Sequence, residues 1–280
     1  MNICLFKEDE INKPLSLRDE RAEHILKILH KNEGDSFFAG IIEGMEGDAL
    51  ITKIERFKSY SAHNKKEFED GNIYFEFHPQ AQGKALYPLK MIIGFPRPIQ
   101  LKRLLRDMAG LGTAEIHLTA TDLGEKSYLK SDLANPQEIY KMLLEGTIQA
   151  AGTHVPKIFI HNSLDDCLKN FACSDSNSLQ IQNSALFALD NIDSKISLNA
   201  ALKKTDFNFC TEEGAFLAQK NSVDSAVAAI GSERGWSKRE RELLEKFNFI
   251  RCRMGNRILR TETAATVAAS LILNKMGFLD

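Results

Sequence analysis

From about residue 85 onward, short apolar runs alternate with amphipathic stretches, and that alternation leaves few architectures open to the chain. The runs are Leu89 to Phe95, Glu115 to Thr119, Lys157 to His161, Ala185 to Asp190, Ser225 to Ile230 and Phe249 to Arg253. Each has the length of a buried strand. Between the first two, Leu101, Leu104, Leu105, Met108 and Leu111 recur at helical spacing and mark one buried face. Strands alternating with helices predict an α/β fold on a largely parallel sheet.

The N-terminal part follows a different pattern. Phe37 to Ile42 and Ala49 to Ile54 read as strands around a glycine-bearing turn, Glu43 to Asp48, and so as a hairpin. A helical turn over Glu23 to Leu29 precedes it, with Gly34-Asp35 punctuating the join. This module reads as a small β-barrel. Residues 60 to 75 are polar and lack sustained periodicity, which predicts a connection there. The expected division is a module over 1–72 and an α/β domain over 73–280.

Hydrophobic residues at 43% and charged residues at 26% are ordinary for a globular chain and exclude global disorder. The net charge of -2 excludes a surface coated with cations throughout. Locally, Gly231 to Arg260 holds nine Lys or Arg against four Glu, enough to attract phosphate or to form a solvated, ion-paired helix face. Cys4, Cys167, Cys173, Cys210 and Cys252 are scattered, with no zinc-type spacing, so no metal is expected and the thiols read as free and buried in a reducing compartment. No run reaches the roughly 18 apolar residues of a membrane span, and the N-terminus turns acidic before a signal sequence could develop. The expected location is the cytoplasm, with no membrane partner.

Two stretches carry chemistry. In Ile230-Gly231-Ser232-Glu233-Arg234-Gly235-Trp236-Ser237, a strand runs into a loop bracketed by glycines, and Ser237 with Glu240 forms a capping box for the next helix. Such a loop lies at the carboxyl edge of a parallel sheet, where open α/β sheets bind ligands, although G-x-x-x-G also serves as a plain turn. The second stretch, Met254-Gly255-Asn256-Arg257-Ile258-Leu259-Arg260-Thr261-Glu262-Thr263-Ala264, follows the last strand and opens an Ala-rich helix. Thr261 or Thr263 could cap that helix, with Glu262 complementing its dipole. Both loops at strand ends suggest one composite pocket. Trp236 could stack on a base or anchor its helix. His24, His30, His117 and His154 are dispersed, and none is assigned to catalysis. Arg97, Lys102, Arg103 and Arg106 read as an exposed helix face or as phosphate contacts.

These two stretches resemble the signature of the RsmE family of 16S ribosomal RNA uridine-N3 methyltransferases, in the SPOUT superfamily. Gly231-Ser232-Glu233-Arg234-Gly235-Trp236-Ser237 is similar to the family's Gly-Pro-Glu-Gly-Gly-Phe-Ser. Arg257-Ile258-Leu259-Arg260-Thr261-Glu262-Thr263-Ala264 matches its Arg-Ile-Leu-Arg-Thr-Glu-Thr-Ala residue for residue. Upstream, His24 to Leu29 with Gly34-Asp35 resembles the family's PUA-like RNA-binding barrel, and Gln149 and Val155-Pro156 match further family positions. The resemblance implies a PUA-like barrel followed by a SPOUT domain tied in a deep trefoil knot, and S-adenosylmethionine as cofactor. It implies a homodimer acting on 16S rRNA in the 30S subunit. Cofactor contacts would fall to Leu189, Ile230, Gly231, Glu233, Gly235, Met254, Gly255, Ile258, Leu259 and Thr263. Arg257, Arg260 and Glu262 would carry the catalytic roles, with Thr261 positioning.

The chain departs from the family pattern at several positions. Ser232 and Arg234 replace a proline and a glycine; Ile148-Gln149-Ala150-Ala151-Gly152 stands for Glu-Gln-x-x-Arg; Gly110-Leu111-Gly112-Thr113 for Glu-Leu-Gly-Val; and Ile28-Leu29-His30 for Val-Leu-Arg. Two other readings therefore stay open: the same fold acting on another rRNA or tRNA site, and a non-catalytic RNA-binding dimer.

Overall fold

The structure, a computed structural model, describes residues 2–61, 66–173, 183–210, 216–217 and 223–279. Its internal contacts divide the chain into two compact units, Met1–Ala85 with Thr147–Val155, and Leu86–Gly146 with Pro156–Asp280.

In the first unit, strands β1 (Cys4–Phe6), β2 (Leu15–Ser16), β3 (Ser36–Ile41), β4 (Met45–Ser61) and β5 (Lys66–Gln82) form one mixed sheet in the order β1-β3-β4-β5-β2. Helix α1 (Glu20–Glu23) starts on Asp19, whose carboxylate accepts the Arg21 N–H, and continues as a wider turn closed by Leu29 N–H on His24 C=O. Alternate residues of β3, β4 and β5, namely Phe37, Ala39, Ala49, Ile51, Ile73 and Phe75, point into one core with Phe6 and Ile25. Phe6 and Phe75 pack there at 4.9 Å. β1 and β2 are the edges of this sheet among the described pairings.

Two expectations change. The stretch 60–75 is no connection: its described part belongs to β4 and β5, which pair from Met45↔Gln82 to Ser61↔Lys66. Polar residues suit a two-stranded arm whose faces need not both be buried. The hairpin turn is also shorter than Glu43 to Asp48, because Met45 already begins β4 and Gly47 pairs with Ala39. Gly47 serves close packing: a Cβ there would stand 2.2 Å from the His78 carbonyl oxygen.

The second unit is built on seven parallel strands in the order β10-β14-β9-β13-β6-β7-β8. These are β6 (Tyr87–Gly94), β7 (Thr113–Thr119), β8 (Lys157–His161), β9 (Ser184–Leu189), β10 (Ile196–Ser197), β13 (Ser225–Ile230) and β14 (Ile250–Arg253). A short antiparallel pair, β11 (Phe209–Cys210) with β12 (Phe216–Leu217), lies apart from it. The connecting helices are α2 (Pro98–Gly110), α3 (Pro136–Gln149), α4 (Leu164–Cys173), α5 (Leu198–Lys203), α6 (Lys238–Lys246) and α7 (Thr261–Lys275). All six expected strands occur within two residues of their expected limits, and Leu101, Leu104, Leu105 and Met108 are fully buried on α2. The α/β reading holds. Among the described residues, no helix is long and apolar enough to cross a membrane.

The order carries one crossing that shapes the site. β13 lies between β9 and β6, yet β14 pairs with β9 on the far side, and α7 then returns to pack on α2, β6 and β13. Ala264, Ala265, Ala268 and Ala269 are all buried on α7, and their short side chains let it sit close to the sheet.

Candidate functional site

Three loops leave the carboxyl ends of neighbouring strands: 190–192 after β9, 231–236 after β13 and 254–260 after β14. Together they enclose a cleft of about 230 Å³. Its apolar walls are Leu189, Ile230, Met254, Ile258, Leu259 and Ala264; Gly231, Ser232 and Gly235 contribute backbone.

The 231–236 loop is held from several sides. Gly235 takes φ +74°, in the left-handed region, and its N–H donates to Ser232 C=O at 2.8 Å. Ser237 then caps α6: its hydroxyl accepts Glu240 N–H at 3.1 Å, and its own N–H donates to Glu240 Oε2 at 2.8 Å. Glu240 is completely buried, and its second oxygen accepts Asp122 N–H at 2.9 Å, which ties the segment after β7 to α6. From beneath, Gly94 at the end of β6 approaches so closely that a Cβ would lie 2.3 Å from Ser232 N. Trp236 is 1% exposed, so it anchors α6 in the core and offers no face for stacking.

The 190–192 loop is fixed by charge. Asp190 is 8% exposed; it receives Arg241 Nε at 2.5 Å and Ile192 N–H at 3.1 Å, and Arg251 stands at 3.8 Å. Arg251 also donates to Ile192 C=O at 2.7 Å. Two cations of the basic segment are thus structural. Lys238 pairs with Glu242, and Arg239 pairs with Asp122 and Asp165. Hydrogen bonds from Arg239 and Ser237 hold the Asp122 carboxyl below its usual range. The solvated, ion-paired reading accounts for this helix. On α2, Lys102 and Arg106 pair with Glu145, and Arg103 with Asp107.

The 254–260 loop turns at Gly255, φ +72°, and delivers Arg260 as the residue before α7. The capping expectation is corrected here. Arg260 occupies the cap with no side-chain bond, and Thr261 is the first helical residue. Its hydroxyl lies 3.5 Å from Gly231 C=O, at the meeting point of the two loops. Glu262 stands in the first helical turn, where the dipole favours an anion.

A second cleft of about 300 Å³ adjoins the first. Glu233, Ile258 and Leu259 line both, and Arg97, Gln100, Arg260 and Glu262 complete the second. Arg97 Nε donates to Glu233 Oε2 at 3.0 Å across it. One chamber is mainly apolar, with Asp190, Asn191, Glu233 and Arg234 also in its wall; its neighbour carries two guanidinium groups, two carboxylates and an amide.

Of the residues named from sequence, Leu189, Ile230, Gly231, Glu233, Gly235, Met254, Ile258 and Leu259 line the first cleft. Gly255 and Thr263 do not line it. Arg260 and Glu262 line the second cleft, and Arg257 is exposed and lines neither. Sequence reasoning missed Asp190, Asn191 and Ile192 as lining residues. Their signal was an Asp-Asn pair ending a buried strand. It also missed Gln100, for which a helix-face pattern gives no cue.

A family model for the RNA methyltransferase domain matches residues 83–273. Ribosomal RNA small subunit methyltransferase E of Treponema pallidum is 37% identical over 98% of this chain and 91% of its own length. Ribosomal RNA small subunit methyltransferase E 1 of Borreliella burgdorferi is 32% identical over 97% of each chain. The chain belongs to the ribosomal RNA small subunit methyltransferase E family. Among solved structures, a Legionella pneumophila protein with the cofactor SAM bound superposes with a TM-score of 0.67 at 17% identity, covering 98% of this chain and 97% of that one. The methyltransferase E of Neisseria gonorrhoeae, bound to S-adenosyl methionine, gives 0.62 at 16% identity with the same coverage. These likenesses show that the chain shares the fold of those two structures. As a member of the methyltransferase E family the chain is an RNA methyltransferase. Ser232 and Arg234, its departures in the first loop, both line the first cleft, and Ser232 is nearly buried.

Proposed function

We propose that this protein transfers the methyl group of S-adenosylmethionine to N3 of a uridine in 16S rRNA of the small ribosomal subunit. The observation that carries this reading is the pair of adjoining clefts that share Glu233, Ile258 and Leu259 as lining residues. The apolar first cleft suits an adenosyl group, with loop backbone for its ring edges, and its carboxylate Asp190 is already neutralised by Arg241. The charged second cleft suits a nucleotide.

S-Adenosylmethionine supplies an activated methyl group; the protein has to align the acceptor nitrogen and favour the uridine anion. Arg260 at the second cleft would stabilise charge developing on the base, and exposed Arg257 would hold phosphate. Buried Glu262 and Thr261 would position the base beside the shared wall. Arg97, drawn to Glu233, would close the second cleft from the α2 side.

In this reading the first unit is the PUA-like RNA-binding module. The expected boundary at 72 is carried to Ala85, because β5 runs through it. The second unit is the knotted SPOUT domain, a reading supported by the return of α7 to β6 after β14 has passed beyond β9. The enzyme acts as a cytoplasmic homodimer on the 30S subunit; the buried thiols Cys167 and Cys252, which form no disulfide, fit a reducing compartment.

The test is incubation of purified protein with methyl-labelled S-adenosylmethionine and unmodified 30S subunits, followed by nuclease digestion and mass spectrometry. N3-methyluridine in 16S rRNA is the expected product, with Arg260→Ala lowering kcat/KM by about 100-fold while cofactor affinity stays unchanged. Label at another nucleotide would replace the substrate assignment. Cofactor binding without label on the 30S subunit would point to another RNA substrate, and neither binding nor label would leave the non-catalytic RNA-binding dimer.

A further inference from the structure

At the other edge of the second unit's sheet, two histidines and a cysteine converge. β7 and β8 run parallel with Thr119 opposite His161, which brings His117 and His161 onto the same face of the sheet, one step apart on the diagonal. α4 begins three residues after His161 and folds back over these strands, carrying Cys167 and Asn170 one turn apart. All three of His117, His161 and Cys167 are buried, and one ligand atom from each lies within 4.8 Å of the others.

We propose that His117 Nδ1, His161 Nε2 and Cys167 Sγ form a binding site for a closed-shell transition ion, Zn²⁺ or Cu⁺. The two ring nitrogens stand 3.0 Å apart. An ion bound to both at about 2.0–2.1 Å asks only for a slight opening of that gap. A plain imidazole–imidazole hydrogen bond would explain the spacing and the outward nitrogens, but not the third donor, the buried Cys167 thiol, converging on the same point. Each of those meets a polar group. His117 Nε2 faces Glu115 Oε2 at 3.3 Å, Lys90 Nζ holds that carboxylate at 3.1 Å, and Asn170 Nδ2 stands 3.5 Å from His161 Nδ1. A carboxylate such as Glu115 fixes tautomer and ring direction in metal-binding histidines; for His161 to ligate through Nε2, its Nδ1–H donates to the Asn170 amide oxygen, which asks for a turn of that amide. Phe159 stacks on His117 at 4.7 Å, and Phe171 packs on it at 4.4 Å, which keeps that ring from turning.

Ligation needs neutral imidazoles and a thiolate, and the Glu115 carboxylate beside His117 offsets the ion's charge. Uptake exchanges one thiol proton for the ion: the S–H bond breaks, sulfur keeps the electron pair and donates it to the metal, and one proton leaves per ion bound. Thiolate with imidazole selects Zn²⁺ and Cu⁺ over hard cations. The ion would tie β7 and β8 to α4, which Asp165 joins to Arg239 of α6 at 2.6 Å.

The test uses the full chain, stripped with a chelator under reducing, oxygen-free conditions and titrated with Zn²⁺ and with Cu⁺ against a coloured competitor. One equivalent of one ion per chain is expected, and which ion binds tighter assigns the metal. Co²⁺ should give a thiolate-to-cobalt charge-transfer band. Cys167→Ser and His161→Gln should abolish stoichiometric binding, Glu115→Gln should weaken it by about 10- to 100-fold, and Cys4→Ser, at a buried thiol of the other unit, should change nothing. Failure of the wild-type chain to bind either ion, or a cobalt complex lacking the thiolate band, overturns the site even if the variants do not fold. So does wild-type binding by the folded Cys167→Ser and His161→Gln variants.

Discussion

Trp236 shows how much one side chain can settle. It follows the glycine-bracketed loop directly and packs with Ile92, Val227, Leu244 and Phe249 in the core between sheet and helices. Trp236→Ala should therefore cost about 3–5 kcal/mol in chemical denaturation, and Trp236→Phe clearly less. Loss of RNA affinity with unchanged stability would instead mark it as a stacking residue. Arg21 does comparable work in the first unit, pairing with Glu10 at 3.1 Å and Asp19 at 2.7 Å while lying over the Phe6 ring at 4.6 Å. Hydrogen bonds from Arg21 lower both carboxyls from their ordinary values of 4.5 and 3.8. A group whose pKa is lower in the folded than in the unfolded chain contributes stability above the unfolded value and loses it as pH falls through the folded one. Stability should thus decline as pH drops below about 4.5, more steeply in wild type than in a Glu10→Gln/Asp19→Asn double variant, when denaturation midpoints are compared at pH 5 and pH 3. Equal slopes would refute the coupling.

At the scale of elements, the end of β6 decides how the 231–236 loop lies. Gly94 has nothing in its sequence context to set it apart from a strand terminator, yet its missing Cβ is what admits Ser232. In Gly94→Ala the loop backbone must move, at a strain of about 1–3 kcal/mol, so S-adenosylmethionine should bind roughly 10- to 100-fold more weakly by calorimetry. The fold should be retained, since β6 pairs β7 and β13 on both sides. Unchanged affinity would show that the loop adapts without cost. The strands themselves were legible before any coordinates, because parallel strands buried on both faces read as short continuous apolar runs. The polar arm of β4 and β5 was not, since nothing in its pattern repeats at two or at 3.6 residues.

On the scale of the whole molecule, the C-terminal helix bears on assembly. Val267 and Leu271, one turn apart on α7, are 37% and 41% exposed although the opposite side of the helix is completely buried. In the homodimer proposed above, that stripe is the natural contact. Val267→Glu/Leu271→Glu should sediment as a monomer at micromolar concentration with an unchanged circular dichroism spectrum, while wild type sediments as a dimer. A monomeric wild type would remove the dimer from the functional reading.

The sequence by itself determined the parallel α/β class, the buried face of α2 and the two loops that line the clefts. Each depends on residues close together in the chain: apolar runs, helical spacing, glycines next to strand ends, a Ser-x-x-Glu cap. Only the tertiary structure decided which distant residues complete them. Asp190 joined the cleft because β14 pairs with β9, and Thr147–Val155 joined the first unit because the Thr153 carbonyl oxygen accepts Glu43 N–H and its hydroxyl reaches Gly44 C=O. His117, His161 and Cys167 met through a parallel register and a returning helix. The physical reason is common to all three: strand order and crossovers place residues far apart in sequence side by side, and no local spacing encodes that order.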